Sequence, residues 1–370
     1  MLDKVKLNPK LLCGLLIALF FCIALFIRVY FPYDKVFTAD WIKFTGADAY
    51  FHMRLVDNIV HNFPNLLSFD PYFVYPGGSG VGVTRFFNYL LAGIIWVAGL
   101  GSPSPHTVDV ISVYFPAVLG ALCVVPVYFI GKELFGRWAG VLSAGLLALL
   151  PGEFVGRSIL GFTDQHVAEV LLSTVTMLFL ILAIKSAGRK QLTFGHLKSR
   201  DWAANTRPLV YSLLAGVFLG VYILTWAGAL LFVFMLSVYF VIQFIIDHVK
   251  GRSTDYLCIA GFILFSVALI VSLMVSQVTL YLVSMAGAIL IPLVLSGISR
   301  LMVRVNVKPF YYPLALLGLG LTGLGLFYLV SPFFLSSMLS MFSIFAPTGA
   351  QLTTIEMQPL LFPNVGPVHR

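Results

Sequence analysis

Residues 209–246 read LVYSLLAGVFLGVYILTWAGALLFVFMLSVYFVIQFII, 38 residues without one Asp, Glu, Lys, Arg or His. About 20 apolar residues span the hydrocarbon core of a bilayer. This stretch therefore holds two crossings, 209–225 and 227–246, joined through Thr225-Trp226-Ala227-Gly228. Lipid offers the backbone no hydrogen bonds, so each crossing must satisfy its own and is a helix. The whole chain has the same character. Of its 370 residues 59% are hydrophobic and 10% charged, with a mean hydropathy of +0.97. Soluble domains carry about 25% charged residues. The composition excludes a water-soluble globular protein.

Working outward, similar runs lie at 11–31, 108–131, 138–155, 167–185, 256–276, 278–298 and 310–331. The expected fold is thus an all-α polytopic membrane protein with about nine transmembrane helices. The run 86–101 is short and contains Asn88, and it reads as a helix outside the membrane. The run 11–31 follows Lys4, Lys6 and Lys10 and exceeds the roughly 7–15 apolar residues of a signal peptide. It reads as a retained first helix. Cys13, Cys22, Cys123 and Cys258 all fall in apolar runs without C-x-x-C spacing, which argues against disulfides and zinc.

Charge sets the sidedness. With the N-terminus inside, the inside segments are 1–10, 132–137, 185–208, 247–255 and 299–308. They hold 16 of the 23 basic residues against 5 of the 15 acidic ones, as the positive-inside rule requires. A net charge of +8 arranged this way speaks for a membrane and against nucleic acid. A long first loop, 32–107, and a final segment, 332–370, are left on the extracytoplasmic side. The whole chain, 1–370, reads as one membrane domain. The loop carries a helical pattern over 48–61, with Tyr50, Phe51, Leu55, Ile59 and Val60 near one face.

Three acidic patches share that outer side. They are Gly46-Ala47-Asp48, the turn Arg157-Ser158-Ile159-Leu160-Gly161-Phe162-Thr163-Asp164-Gln165-His166, and Thr353-Thr354-Ile355-Glu356. Two aspartates, a histidine and a glutamate form a ligand set for a divalent ion, Mn²⁺ or Mg²⁺. Each patch also has an ordinary reading. Asp48 suits a solvated loop, Asp164 a helix N-cap, and Arg157 a side chain reaching for the interface.

In this order and on this side, G-A-D-A-Y-F-H-M-R at 46–54, R-S-x-x-G-F-x-D-x-H at 157–166 and T-T-I-E-M-Q-P at 353–359 resemble three signatures of the oligosaccharyltransferase catalytic subunit. The D-x-H form is similar to that of archaeal members, and Thr225-Trp226-Ala227-Gly228 resembles the family's S-W-G-G turn. The resemblance implies a GT-C type fold, that of lipid-dependent glycosyltransferases, with two long extracytoplasmic loops. It implies N-glycosylation: transfer of an oligosaccharide from a polyprenyl (dolichyl) phosphate or pyrophosphate carrier to asparagine in an Asn-x-Ser/Thr acceptor protein. Asp48, Asp164 and His166 would hold Mn²⁺ or Mg²⁺. Glu356 and Asp48 would grip the acceptor carboxamide. Arg157 would neutralise charge near the lipid phosphate, and Trp226 would meet the lipid-linked oligosaccharide at the membrane edge. The implied setting is the cell membrane, crossed many times, with the active site extracytoplasmic.

Two departures stand out. Thr354 occupies the second position of a T-I-x-E signature. The family's W-W-D-Y-G motif, which reads the sequon, has no match here, since no two tryptophans are adjacent. The C-terminal soluble domain is therefore expected to be absent from this chain, which is either a truncated form or one completed by a separate chain. Another lipid-phosphosugar-dependent enzyme, such as an O-mannosyltransferase, would not need the third patch. A secondary transporter would place ionisable groups near the bilayer middle, and the spans from 209 onward carry none.

Overall fold

The computed structural model describes residues 8–80, 85–273, 279–330, 332 and 336. Among these described residues fifteen helices and one small hairpin follow in chain order. The first part comprises α1 (Pro9–Tyr30), α2 (Tyr33–Val36), α3 (Ala47–His61), β1 (Phe69–Asp70), β2 (Ser79–Gly80), α4 (Phe86–Ala98), α5 (Pro105–Leu122), α6 (Val124–Phe135) and α7 (Arg137–Leu149). Then come α8 (Glu153–Gly156), α9 (His166–Arg189), α10 (Phe194–Lys198), α11 (Trp202–Thr225), α12 (Ala229–Val249), α13 (Asp255–Leu273), α14 (Thr279–Arg304) and α15 (Tyr311–Val330). The two strands pair antiparallel, Phe69 opposite Gly80 and Asp70 opposite Ser79.

Local chemistry sets the helix ends. Asn8 accepts a hydrogen bond from the Lys10 N–H and Pro9 opens α1. Ser104 accepts from the Thr107 N–H and Pro105 opens α5. Both are side-chain caps followed by a proline whose missing N–H costs nothing there.

Among the described residues seven helices are long and apolar enough to cross a membrane; α5 and α6 together make one of them. The other two of the nine expected spans are present as shorter apolar helices. The expected span 138–155 is α7, only 13 residues long. Pro151 explains the early stop: Leu150 before it is extended, at φ −65° and ψ 122°, because a proline disfavours helical backbone in the preceding residue. The expected span 310–331 is α15, apolar throughout, with a shorter apolar helix over Tyr311–Leu326. The run 86–101 folds as the 13-residue α4.

The chain divides into two compact units, residues 1–244 with 253–296, and residues 245–252 with 297–370. In the first, α9 packs on α11, α11 on α13, α6 on α7, α1 on α5 and α7, and α3 on α4. Helix α3 forms as expected, but its buried face is Ala49, His52, Met53, Leu55, Val56, Ile59 and Val60. Tyr50 and Phe51, assigned to that face from the pattern, are exposed. In the second unit His248 stacks on Tyr312 at 4.1 Å, and its Nδ1 lies 2.8 Å from Ser299 Oγ.

Candidate active site

The turn between α7 and α9 carries the second motif, and it is bound by its backbone to its surroundings. The Leu160 N–H donates to Arg28 O at 2.9 Å, the Gly161 N–H to Val113 O at 2.8 Å, and the Thr45 N–H to Gly161 O at 2.8 Å. Thr163 Oγ1 donates to Ser112 O at 2.8 Å. Gly161 sits at φ +80°, and a Cβ there would lie 3.0 Å from Val36 Cγ2. Both its handedness and the space demand glycine.

Beneath this turn Arg28 is fully buried. Its Nε donates to Ser158 Oγ at 2.8 Å, its Nη1 to Ala24 O at 3.1 Å, and its guanidinium lies over the Phe154 ring. Gly120 on α5 makes room: a Cβ there would come within 2.7 Å of Arg28 Nε.

The Thr45–Gly161 bond sets the first motif against the second, although the two are more than a hundred residues apart in sequence. Gly46 packs on Phe162, and Asp48 stands exposed in the first turn of α3. One helical turn further, on the same face, His52 reaches the second motif directly. Its Nε2 lies 3.1 Å from Asp164 Oδ1, and the two side chains are 6% and 3% exposed. Its Nδ1 lies 2.8 Å from Asn88 Oδ1 on α4. The Gln165 N–H also donates to Asp164 Oδ1. Burial pushes the Asp164 carboxyl up, but the His52 bond, the charge of His166 and the Gln165 N–H outweigh it and hold the group below the usual carboxylate range.

Asp164 Oδ1 is thereby occupied, while Oδ2 is buried without a hydrogen-bond partner and lies 3.5 Å from His166 Nε2. On its other side the His166 ring meets Glu169, with Nδ1 3.2 Å from Oε1. Two donors on one ion, each at about 2.1 Å, are roughly 3 Å apart. An orphaned carboxylate oxygen facing an imidazole nitrogen across such a gap fits a divalent ion. Among the described residues no group of three or more His, Cys, Asp and Glu side chains forms a ready ligand cage.

The remaining predicted residues stand as follows. Arg157 Nε donates to Glu153 Oε2 at 2.9 Å within its own turn. Trp226 follows the end of α11 and stacks on Tyr222, with centroids 6.2 Å apart; Tyr222 lies within electrostatic reach of Glu169. Glu356 lies outside the described residues. Sequence reasoning missed His52, Asn88 and Glu169. For His52 a signal was present, four residues after Asp48 on one helix face.

Residues 18–365 match the family model described as oligosaccharyl transferase STT3, N-terminal. The chain belongs to the STT3 family. It is 33% identical over 346 residues to the dolichyl-monophosphooligosaccharide–protein glycotransferase AglB of Haloferax volcanii, covering 90% of this chain and 33% of that protein. It is 28% identical over 360 residues to dolichyl-phosphooligosaccharide-protein glycotransferase 3 of Archaeoglobus fulgidus, covering 92% and 40%. The solved structure of AglB from Archaeoglobus fulgidus, in complex with an inhibitory peptide and a dolichol-phosphate, superposes with a TM-score of 0.81 at 26% identity, covering 94% of this chain and 40% of that one. This STT3 chain thus spans between a third and two fifths of these relatives' lengths. The likeness supports the GT-C type fold expected from the motifs, and the family assignment sets aside the transporter.

Proposed function

We propose that this chain is the membrane part of an N-glycosylating oligosaccharyltransferase, working on the extracytoplasmic side of the cell membrane. Its substrates would be an oligosaccharide on a polyprenyl (dolichyl) phosphate or pyrophosphate and an Asn-x-Ser/Thr acceptor. The observation that carries this reading is the junction of G-A-D with D-x-H through Thr45–Gly161 and His52–Asp164 in a chain of this family.

An amide nitrogen is a poor nucleophile because its lone pair is delocalised. In this reading Asp48 and Glu356 accept hydrogen bonds from the acceptor carboxamide and orient it. The new bond joins its nitrogen to the first sugar carbon, the bond from that carbon to the carrier phosphate breaks, and one amide proton is released. Arg157 offsets the charge of the lipid phosphate, and Trp226 steadies the carrier at the membrane edge. Asp48, Asp164 and His166 would hold Mn²⁺ or Mg²⁺. Such an ion, when bound, supplies Lewis-acid stabilisation to the leaving phosphate.

The test is transfer to an Asn-x-Thr peptide from archaeal lipid-linked oligosaccharide. It is run with the chain alone and with a C-terminal domain from a relative fused to it. Asp164→Ala is expected to lower transfer by more than about 100-fold, beyond the 10–100-fold loss of an outer-shell change. Transfer that survives this substitution would overturn the reading.

A further inference from the structure

We propose that Glu169 is a positioning residue that fixes the orientation and tautomer of His166. The inference rests on the reading of Asp164 and His166 as ion ligands, and it concerns a residue outside every motif. Glu169 lies one turn into α9 on the same face as His166. Its side chain is 12% exposed, and Oε1 is 3.2 Å from His166 Nδ1. The approach is oblique, and Oε1 makes no aligned hydrogen bond to any other group. A buried carboxylate oxygen is costly to leave unsatisfied. The one ring nitrogen within reach is Nδ1, and a small rotation of either side chain aligns the pair.

The consequence lies at the other nitrogen. A neutral imidazole carries one proton, and the hydrogen bond made at one nitrogen decides which form is present. A proton held at Nδ1 by Glu169 leaves the Nε2 lone pair bare, and Nε2 is the atom 3.5 Å from the orphaned Asp164 Oδ2. Histidines that ligate metals commonly donate their second N–H to a carboxylate in this way, and losing the partner weakens metal binding by about 10–100-fold. Without Glu169 the ring is free to flip or change tautomer and to present N–H to the ion. The ordinary alternative is that Glu169 serves only the positive end of α9, a role open to any acid in a first helical turn.

Two readouts separate these roles, both on the chain in detergent. The first is Mn²⁺ binding followed by electron paramagnetic resonance. The second is the ¹⁵N spectrum of the His166 imidazole in the metal-free chain, recorded at alkaline pH where the ring is neutral. Glu169→Ala is expected to weaken Mn²⁺ binding by about 10–100-fold and to turn a single Nδ1–H tautomer into a mixture. Glu169→Gln keeps an acceptor oxygen while removing the charge, so it should retain the tautomer and most of the affinity. A helix-end role predicts the reverse, with Gln behaving like Ala in stability and the spectrum unmoved. Mn²⁺ affinity unchanged in Glu169→Ala but lost in His166→Ala would overturn the proposal. If the unsubstituted chain binds no Mn²⁺, the ion reading falls, and the metal-free imidazole spectrum still decides the positioning role.

Discussion

Asp70 ends the first strand of the hairpin and is gripped by Arg54 of α3, with Nε on Oδ2 at 2.5 Å and Nη2 on Oδ1 at 2.8 Å. The Arg54 hydrogen bond, then the Tyr72 N–H, hold this carboxyl below its ordinary value. A carboxylate depressed in the folded state is protonated first in the unfolded one. Its contribution is complete above the usual carboxylate range near 4 and is lost as pH falls through the lower folded value. Hydrogen-exchange protection across 69–80, taken relative to the unfolded rate at each pH, should therefore be high at pH 5 and fall as the pH approaches 2. Asp70→Asn should be poorly protected at both values, and a variant as protected as the parent at pH 5 would show that the pair does not hold the hairpin. At this scale the site was half legible. Asp48, Asp164 and His166 stand in motifs whose residue types announce ligand chemistry. Asn88 stands in no motif, and His52, although it lies in the first motif four residues after Asp48, carries nothing local that tells which turn, more than a hundred residues away, it meets.

Among the elements, α11 and α13 show how helices bind where the solvent is lipid. Lipid tails provide no hydrophobic force between helices, so close packing of small residues must serve. Gly216 and Gly220, four apart on α11, lie against α13: a Cβ at Gly216 would meet Leu264 O and Val267 Cβ at 2.7 Å, and one at Gly220 would meet Val271 Cβ at 2.6 Å. Gly216→Val is expected to lower stability by about 1–3 kcal/mol, the usual cost of overpacking, read by denaturant unfolding in micelles. Gly287→Val on α14 is the control, since nothing lies within 4 Å of its Cβ position. Equal stability of the two variants would refute the seam. Helix positions were legible from length and hydropathy, because lipid enforces both. Helix ends were less so: Leu149 closes α7 where the apolar run continues to Val155, and backbone geometry before Pro151 outranks hydropathy there. The buried face of α3 was misread because Tyr50 and Phe51 are apolar yet exposed, while His52 is polar yet buried.

For the molecule as a whole, the charge partition places 185–208 inside and 32–107 outside. On a background lacking the native cysteines, Ser79→Cys should react with an impermeant reagent on intact cells and Ser199→Cys should not. The opposite result would reverse the sidedness on which the proposed site depends. Arg28 adds a dimension that neither sequence nor static packing contains, that of time. Its partner Ser158 is 130 residues later in the chain, so when α1 first enters the bilayer neither that hydroxyl nor the Gly120 recess exists. Until they do, the guanidinium must reach toward headgroups from the outer end of α1. It can be withdrawn from them only after the α5–α9 region has been synthesised and inserted. Withdrawal of the Arg28 guanidinium and anchoring of the 157–166 turn are thus one event, and it can come only late in the chain's insertion.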